Sequence, residues 1–96
     1  MDRLFFVLRT RGAAWDRERT PEEQEGWAEH SAFMIALACD GVVTLGGPLE
    51  GTPNYLILAR ARSEDDLRAR LGEDLWARKD ILRVERIAPW SVKWHS

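Results

Sequence analysis

The first strand of this chain is apolar on both of its faces. Residues 3–10 are dense in aromatic and branched side chains, with Leu4, Phe6 and Leu8 on one face and Phe5 and Val7 on the other. Neighbouring side chains of a strand point to opposite faces of the sheet, so both faces here need apolar neighbours. The sequence therefore predicts a central strand that is covered on two sides.

The length of the chain limits how both faces of this strand can be covered. With 96 residues there is room for one domain and one modest core, so we interpret 1–96 as a single domain. A chain of this size buries roughly 60–70% of the surface that its unfolded form exposes. A partner subunit would therefore help its stability.

The charge and the cysteine content exclude several classes of function. The formal net charge of -2 and the pI of about 5.7 give no broad attraction to phosphate backbones or anionic lipids. We therefore expect neither a nucleic-acid nor a membrane partner, and the apolar run of residues 4–8 is too short for a secretory signal or a membrane span. The single cysteine, Cys39, excludes an internal disulfide and favours a reducing, cytoplasmic location.

The next stretch predicts a helix with one histidine on its apolar side. Thr20 can cap this helix, Pro21 suits its first position, and Glu23 can complete a capping box. Apolar side chains then recur at helical spacing, with His30 among them. Gly41 favours the end of the helix, because glycine accepts the left-handed conformation found there. The predicted helix spans 21–39.

The remaining elements complete an α+β pattern. We predict a strand over 42–45, a loop at Gly46-Gly47-Pro48, a strand over 54–62, a helix from Ser63 to Gly72, a helical turn over 73–77, a strand over 81–88 and a short extra strand in 89–94. The order is the ferredoxin-like βαββαβ pattern, a four-stranded antiparallel sheet with both helices on one face. The other sheet face would be bare, so we expect a homodimer packed sheet to sheet.

These elements and several short motifs resemble the YCII-related family, whose members belong to the dimeric α+β barrel group. The resemblance covers nearly the whole chain. Its motifs are the first strand, the helical His30, and then Gly41, Gly46-Gly47-Pro48, Asp74-Leu75-Trp76 and Ile87-Ala88-Pro89-Trp90. The resemblance implies a dimeric α+β barrel in which His30 and Asp74 are the active-site pair.

Two positions depart from the family pattern. The family usually has proline directly after the aspartate, where this chain has Leu75, and arginine three residues before the histidine, where this chain has Trp27. Both departures leave the pair itself in place. These departures count against a substrate that the chain would share with other members of the family.

His30 and Asp74 are residue types that suit acid–base chemistry. An imidazole can take or give a proton near neutral pH. A carboxylate bonded to one ring nitrogen fixes the tautomer and leaves the other nitrogen free to act as a base. The alternative is structural: His30 is a partly buried ring bonded to a backbone carbonyl, and Asp74 only caps a short helix. Glu29 is a more distant candidate partner for His30.

Several aromatic side chains and one glycine segment are candidates for a substrate pocket. Phe6, Trp27, Trp76 and Trp90 can form its apolar walls. The backbone of Gly46-Gly47-Pro48 can approach a ligand closely. Each has a simpler alternative. The aromatic side chains can simply fill the core, and the glycine segment can simply form a tight turn at the end of a strand.

Other reactive side chains give weaker signals. Arg9 or Arg60 can reach a pocket and bind an acidic ligand. Cys39 has no adjacent histidine or lysine that would activate its thiol, so a nucleophilic role is not expected. His30, His95 and Cys39 lack the paired spacing of a metal site, so we predict no metal.

The sequence therefore predicts a small dimeric enzyme that works without metal or organic cofactor. It would transfer a proton next to a carbonyl or hydroxyl group of a small substrate, aromatic compounds included. Isomerisation and elimination, including dehydrochlorination, fit this chemistry and resemble reactions of the dimeric α+β barrel group. The alternatives are a non-catalytic ligand-binding or accessory domain that uses the same pocket, and a structural dimerisation module.

Overall fold

The computed structural model describes residues 2–96 and has an α+β architecture. One antiparallel sheet has the strand order β2-β3-β1-β4. Its strands are β1 (Arg3–Arg11), β2 (Val43–Pro48), β3 (Asn54–Ala61) and β4 (Leu82–Pro89). The helices are α1 (Trp27–Cys39), α2 (Glu64–Leu71) and α3 (Leu75–Arg78), preceded by a 3-10 helix at Pro21–Glu23. The predicted α+β class with a four-stranded antiparallel sheet is confirmed, and the topology is compatible with a ferredoxin-like fold.

The apolar core lies between the inner face of the sheet and the helices. Leu37 of α1 and Leu67 of α2 pack against the same sheet face, so both helices lie on that side. Full burial of such a side chain contributes about 1.5–3 kcal/mol, so this layer is the main source of stability. The core consists of Phe5, Val7, Leu37, Val43, Ile57, Ala59, Leu67, Leu71 and Ile87.

The opposite face of the sheet, here called the open sheet face, is also apolar. In the ladder between β1 and β3, Phe6 lies opposite Leu58 and Leu8 lies opposite Leu56. All four side chains are only half-buried, whereas the inner-face residues Phe5 and Val7 are 1% and 0% exposed. The predicted central position of the first strand is thus observed, and its second face is not sealed within the single chain.

The predicted helix over 21–39 is interrupted. The 3-10 helix ends at Glu23, and α1 begins only at Trp27. Gly26 adopts a left-handed conformation with φ of 73°, which a continuous right-handed helix does not allow. The buried Gln24 side chain fixes the intervening turn, because it accepts from the Asp16 amide at 2.9 Å and donates to the Asp16 carbonyl at 2.7 Å.

The prediction of a loop at Gly46-Gly47-Pro48 is wrong, because β2 continues through these residues. Gly46 pairs with Ile57, Gly47 with Leu56 and Pro48 with Tyr55. Proline is tolerated here since β2 is an edge strand, where one missing amide donor can face solvent. The segment therefore lies in the sheet, next to α1, rather than in a separate loop.

The predicted extra strand in the tail is also absent within residues 90–96, which form no strand. The Trp90 amide still donates to the Leu4 carbonyl at 2.9 Å, one step beyond the last residue of β4.

Candidate functional site

Three elements of the fold bring one histidine, one aspartate and one arginine together. His30 lies in the first turn of α1, where its amide donates to the Gly26 carbonyl at 2.9 Å. Asp74 is the N-cap residue of α3. Arg9 lies near the end of β1, on the same inner face as Phe5 and Val7. Arg9, His30 and Asp74 are called the polar cluster below.

The Asp74 carboxylate is the centre of the polar cluster. Its Oδ2 atom lies 2.8 Å from His30 Nδ1 and 3.2 Å from Arg9 Nη1. Its Oδ1 atom accepts the backbone N–H of Trp76 at 3.0 Å. The three residues are 0%, 5% and 4% exposed in the order Asp74, His30, Arg9. Asp74 therefore caps the short helix and contacts the histidine at the same time, so the alternative in which it only caps the helix and His30 bonds to a backbone carbonyl is wrong.

These contacts keep Asp74 ionised. Burial by itself would raise the pKa of Asp74, but the hydrogen bond from His30, the Trp76 amide and the Arg9 charge outweigh it and lower that pKa below its usual value. An ionised carboxylate can only accept hydrogen bonds. His30 Nδ1 must therefore carry the hydrogen that it donates to Asp74.

The other ring nitrogen of His30 is left free. Nε2 makes no hydrogen bond with residues 2–96, and it does not belong to the fully buried, unpartnered polar atoms of that range. In the neutral ring with hydrogen on Nδ1, Nε2 carries the lone pair. The cluster thus presents a potential proton acceptor at a site with limited access to solvent.

Aromatic side chains fix the plane of the His30 ring. The Trp76 ring is stacked on it, with centroids 3.8 Å apart and planes inclined by 6°. Trp27 lies 5.9 Å from His30 and 5.7 Å from Trp76. Trp76 is itself held, since its Nε1 donates to the Glu25 carbonyl at 2.8 Å and Trp15 packs edge-on at 5.6 Å. Trp15 therefore supports this stack.

His30 borders a cleft of about 280 Å³ between α1 and β2. A cavity of roughly 150 Å³ is enough to bind benzene, so the cleft can hold a small organic molecule. Two larger hollows, about 420 and 550 Å³, lie elsewhere and include neither His30 nor Asp74. The lining of the cleft is mostly apolar and consists of Trp27, His30, Ser31, Met34, Ile35, Ala38, Val43, Thr44, Leu45 and Gly46.

The predicted site residues are distributed unevenly around this cleft. Trp27 and Gly46 line it, and Trp76 lies behind the His30 ring with no exposed surface. Gly47 and Pro48 follow further along β2 and are not part of the lining. Phe6 lies on the open sheet face, away from His30, because it alternates with the inner-face residues of β1.

The other candidates lie outside the polar cluster. Trp90 follows the end of β4 and is 49% exposed. Glu29 and Cys39 are exposed on α1, and Arg60 borders a different hollow. His95 is exposed in the tail. Within residues 2–96 there is no group of three or more histidine, cysteine, aspartate or glutamate side chains placed to hold a metal ion.

The contact between Arg9 and Asp74 was not predicted. The sequence suggested only that Arg9 can reach a ligand. A signal was present, because Arg9 occupies the same alternating register as the buried Phe5 and Val7. An arginine on a core-facing position requires a partner for its charge. The sequence could not identify Asp74 as that partner, since 65 residues separate the two.

No protein-family model matches the chain, and no curated protein matches it. The resemblance to YCII-related proteins therefore stays an expectation based on the motifs quoted above. No helix within residues 2–96 combines the length and apolar character that crossing a membrane requires.

Proposed function

We propose that the chain is a YCII-like enzyme that moves a proton on a small organic substrate, with His30 as the base or acid and Asp74 as its orienting partner. One observation carries the proposal: Asp74 holds Nδ1 of a buried histidine at 2.8 Å, while Nε2 has no partner among residues 2–96 and the ring borders a cleft. Acid–base groups held in this way typically contribute about 10²–10⁴-fold to a rate.

The reaction would begin when a C–H bond next to a carbonyl breaks and its proton passes to Nε2. The electron pair of that bond remains on the substrate as an enolate, and Asp74 stabilises the imidazolium that forms. Return of the proton to a different atom completes an isomerisation. In an elimination, the electron pair forms a C=C bond and a leaving group such as chloride departs with its own pair. Neither route requires a metal or an organic cofactor.

The proposal includes a second copy of the chain on the open sheet face. Leu4, Phe6, Leu8, Leu56 and Leu58 form a half-buried apolar surface there. Exposed apolar patches of this kind typically mark interaction surfaces, and stable interfaces bury about 800 Å² per partner. Two sheets packed in this way would give the dimeric α+β barrel that the YCII resemblance implies.

A non-catalytic ligand-binding domain is the second candidate. The observation that favours it is the mostly apolar wall of the cleft, in which residues such as Met34 and Val43 accompany the single ionisable group His30. Apolar walls with one fixed polar group are typical of binding pockets. In this case His30 Nε2 would recognise a ligand by a hydrogen bond and no bond of the ligand would break.

Proton exchange with deuterated water separates the two candidates without knowledge of the product. A panel of small ketones, keto acids and phenolic compounds is incubated with the protein, and loss of C–H signal next to the carbonyl or hydroxyl is followed by NMR. We expect His30→Ala to slow the exchange by about 10²-fold or more. The matched control is His95→Ala, which removes the other histidine of the chain from the exposed tail and leaves the rate unchanged.

The outcomes of this experiment are distinct. Exchange that depends on His30 and not on His95 supports the enzyme. Binding of a compound that shifts the His30 ring resonances, without any His30-dependent exchange, supports the ligand-binding domain. Exchange at equal rates in wild type and in folded His30→Ala would refute a catalytic role for His30.

A further inference from the structure

Arg9 is a buried cation in direct contact with the proposed catalytic pair. It is 4% exposed, and its contact with Asp74 is a single one, from Nη1 to Oδ2 at 3.2 Å. Nη2 lies 3.6 Å from the Met34 sulfur, which is a weak acceptor. Nε is the one fully buried side-chain polar atom without a partner within residues 2–96. Arg9 therefore does not clamp the carboxylate in the bidentate geometry that gives the strongest arginine–carboxylate pairs.

The geometry favours a role for the charge of Arg9 rather than for its hydrogen bonds. The shorter contact to Oδ2 belongs to His30, at 2.8 Å against 3.2 Å for Arg9. One arginine and one ionised aspartate already balance each other. A second positive charge on His30 would then leave the buried cluster with an unbalanced charge, which is costly in a site with little access to water.

We propose that Arg9 is a positioning residue that acts through Asp74, offsetting the carboxylate charge so that the resting His30 ring is neutral and directs an unprotonated Nε2 to the cleft. The inference deepens the proposed function and rests on it, because a base must be unprotonated before it can take a proton.

The other ionisable groups around the cluster do not replace this charge. Glu29 is exposed on α1, and Glu25 before α1 pairs with Lys79 at 2.7 Å on the protein surface. Tyr55 on β3 lies near Arg9, and burial raises its pKa, which keeps its hydroxyl neutral. Within residues 2–96, Arg9 is thus the only permanently charged cation that contacts Asp74.

The protonation state of His30 tests the proposal directly. Protein labelled with ¹⁵N-histidine is titrated by NMR, which distinguishes Nδ1 from Nε2 and the neutral ring from the imidazolium. His30→Gln assigns the His30 signals against those of His95. We expect Arg9→Met to raise the ratio of protonated to neutral His30 at a fixed pH by about ten-fold or more, equivalent to about one pH unit.

Two further variants and a control make the result specific. Arg9→Lys keeps the positive charge and is expected to restore a ratio near that of wild type. Arg9→Gln removes the charge but keeps a donor for Asp74, and it gives the same readout if Arg9→Met folds poorly. Arg60→Met is the control, because it removes an exposed arginine from the neighbouring β3 and should leave the His30 ratio unchanged.

An unchanged His30 ratio in folded Arg9→Met or Arg9→Gln would overturn the proposal and leave Arg9 with a structural role only. The proposal also fails if Arg9→Lys behaves like the neutral variants. These results do not depend on any substrate. A failure of the proton-exchange experiment with a normal Arg9 effect would therefore reject the enzyme and keep the charge role of Arg9, whereas the reverse pattern would reject only Arg9.

Discussion

The inner face of β1 contributes residues to two regions that are equally buried but differ in chemistry. Phe5 and Val7 belong to the apolar core, whereas Arg9, further along the same face, belongs to the polar cluster. Val7 and Asp74 are both 0% exposed. Core side chains need apolar neighbours of suitable volume. Each member of the polar cluster instead needs particular partners at particular atoms, so the two regions should respond differently to substitution.

The largest effect on stability is expected in the apolar core. Phe5→Ala should lower the free energy of unfolding by about 3–5 kcal/mol, because it removes a large buried ring and leaves a cavity. Urea unfolding measures this change. Phe6→Ala is the matched control on the open sheet face, and its cost should be smaller at low protein concentration. An equal cost for both variants in the monomer would contradict the division between the two sheet faces.

Substitution in the polar cluster should have a smaller and strongly coupled effect. Asp74→Asn keeps the size of the side chain but removes charge-assisted hydrogen bonds to His30 and Arg9, and should cost about 2–3 kcal/mol. The same change made in Arg9→Met should cost clearly less, because no buried cation is then left unbalanced. Chemical denaturation of the four proteins in this cycle gives the coupling. Additive effects would mean that the contact at 3.2 Å contributes no coupling to stability.

Much of the fold could be predicted from local sequence signals. The structure differs from the prediction where contacts between residues distant in sequence compete with those signals. A dense run of aromatic and branched residues identified β1, and Ser63 marked the start of α2. The break at Gly26 was not predicted, because a capping pattern at Thr20 suggested one helix start where the chain has two. Gly46-Gly47-Pro48 suggested a loop, yet pairing with β3 outweighs the weak strand preference of these residues.

The candidate site could be predicted only in part. The helical pattern singled out His30, whereas its pairing with Asp74 was named from a family resemblance, because a separation of 44 residues gives no local signal of contact. The stacked arrangement of Trp76 and the support from Trp15 depend on tertiary packing alone. Alternation along β1 separated Phe6 from Phe5 and Val7, but it could not show which of the two sheet faces the helices cover. Phe6 lies on the open sheet face and therefore away from His30.

The pH dependence of stability should separate the polar cluster from the core. The folded-state pKa of Asp74 is lowered, so between that pKa and the unfolded value of about 3.9 the unfolded chain binds more protons. The stabilisation from Asp74 is therefore fully present above about pH 4 and is lost as the pH falls through the folded pKa. Unfolding of wild type and Asp74→Asn between pH 7 and 2 should show their stability difference shrinking in acid. Phe5→Ala is the control, since its deficit should not depend on pH.

The smallest expected effect comes from comparing two helix caps. Ser63 accepts the Asp66 amide at 3.1 Å at the exposed start of α2, and Asp74 accepts the Trp76 amide at 3.0 Å at the buried start of α3. Ser63→Ala should cost about 1 kcal/mol, the usual value of a lost cap, and should leave the His30 titration and proton exchange unchanged. Asp74→Asn should exceed this cost and alter both, because Asp74 also contacts His30 and Arg9. Equal costs and an unaltered His30 ring in the two variants would reduce Asp74 to a helix cap.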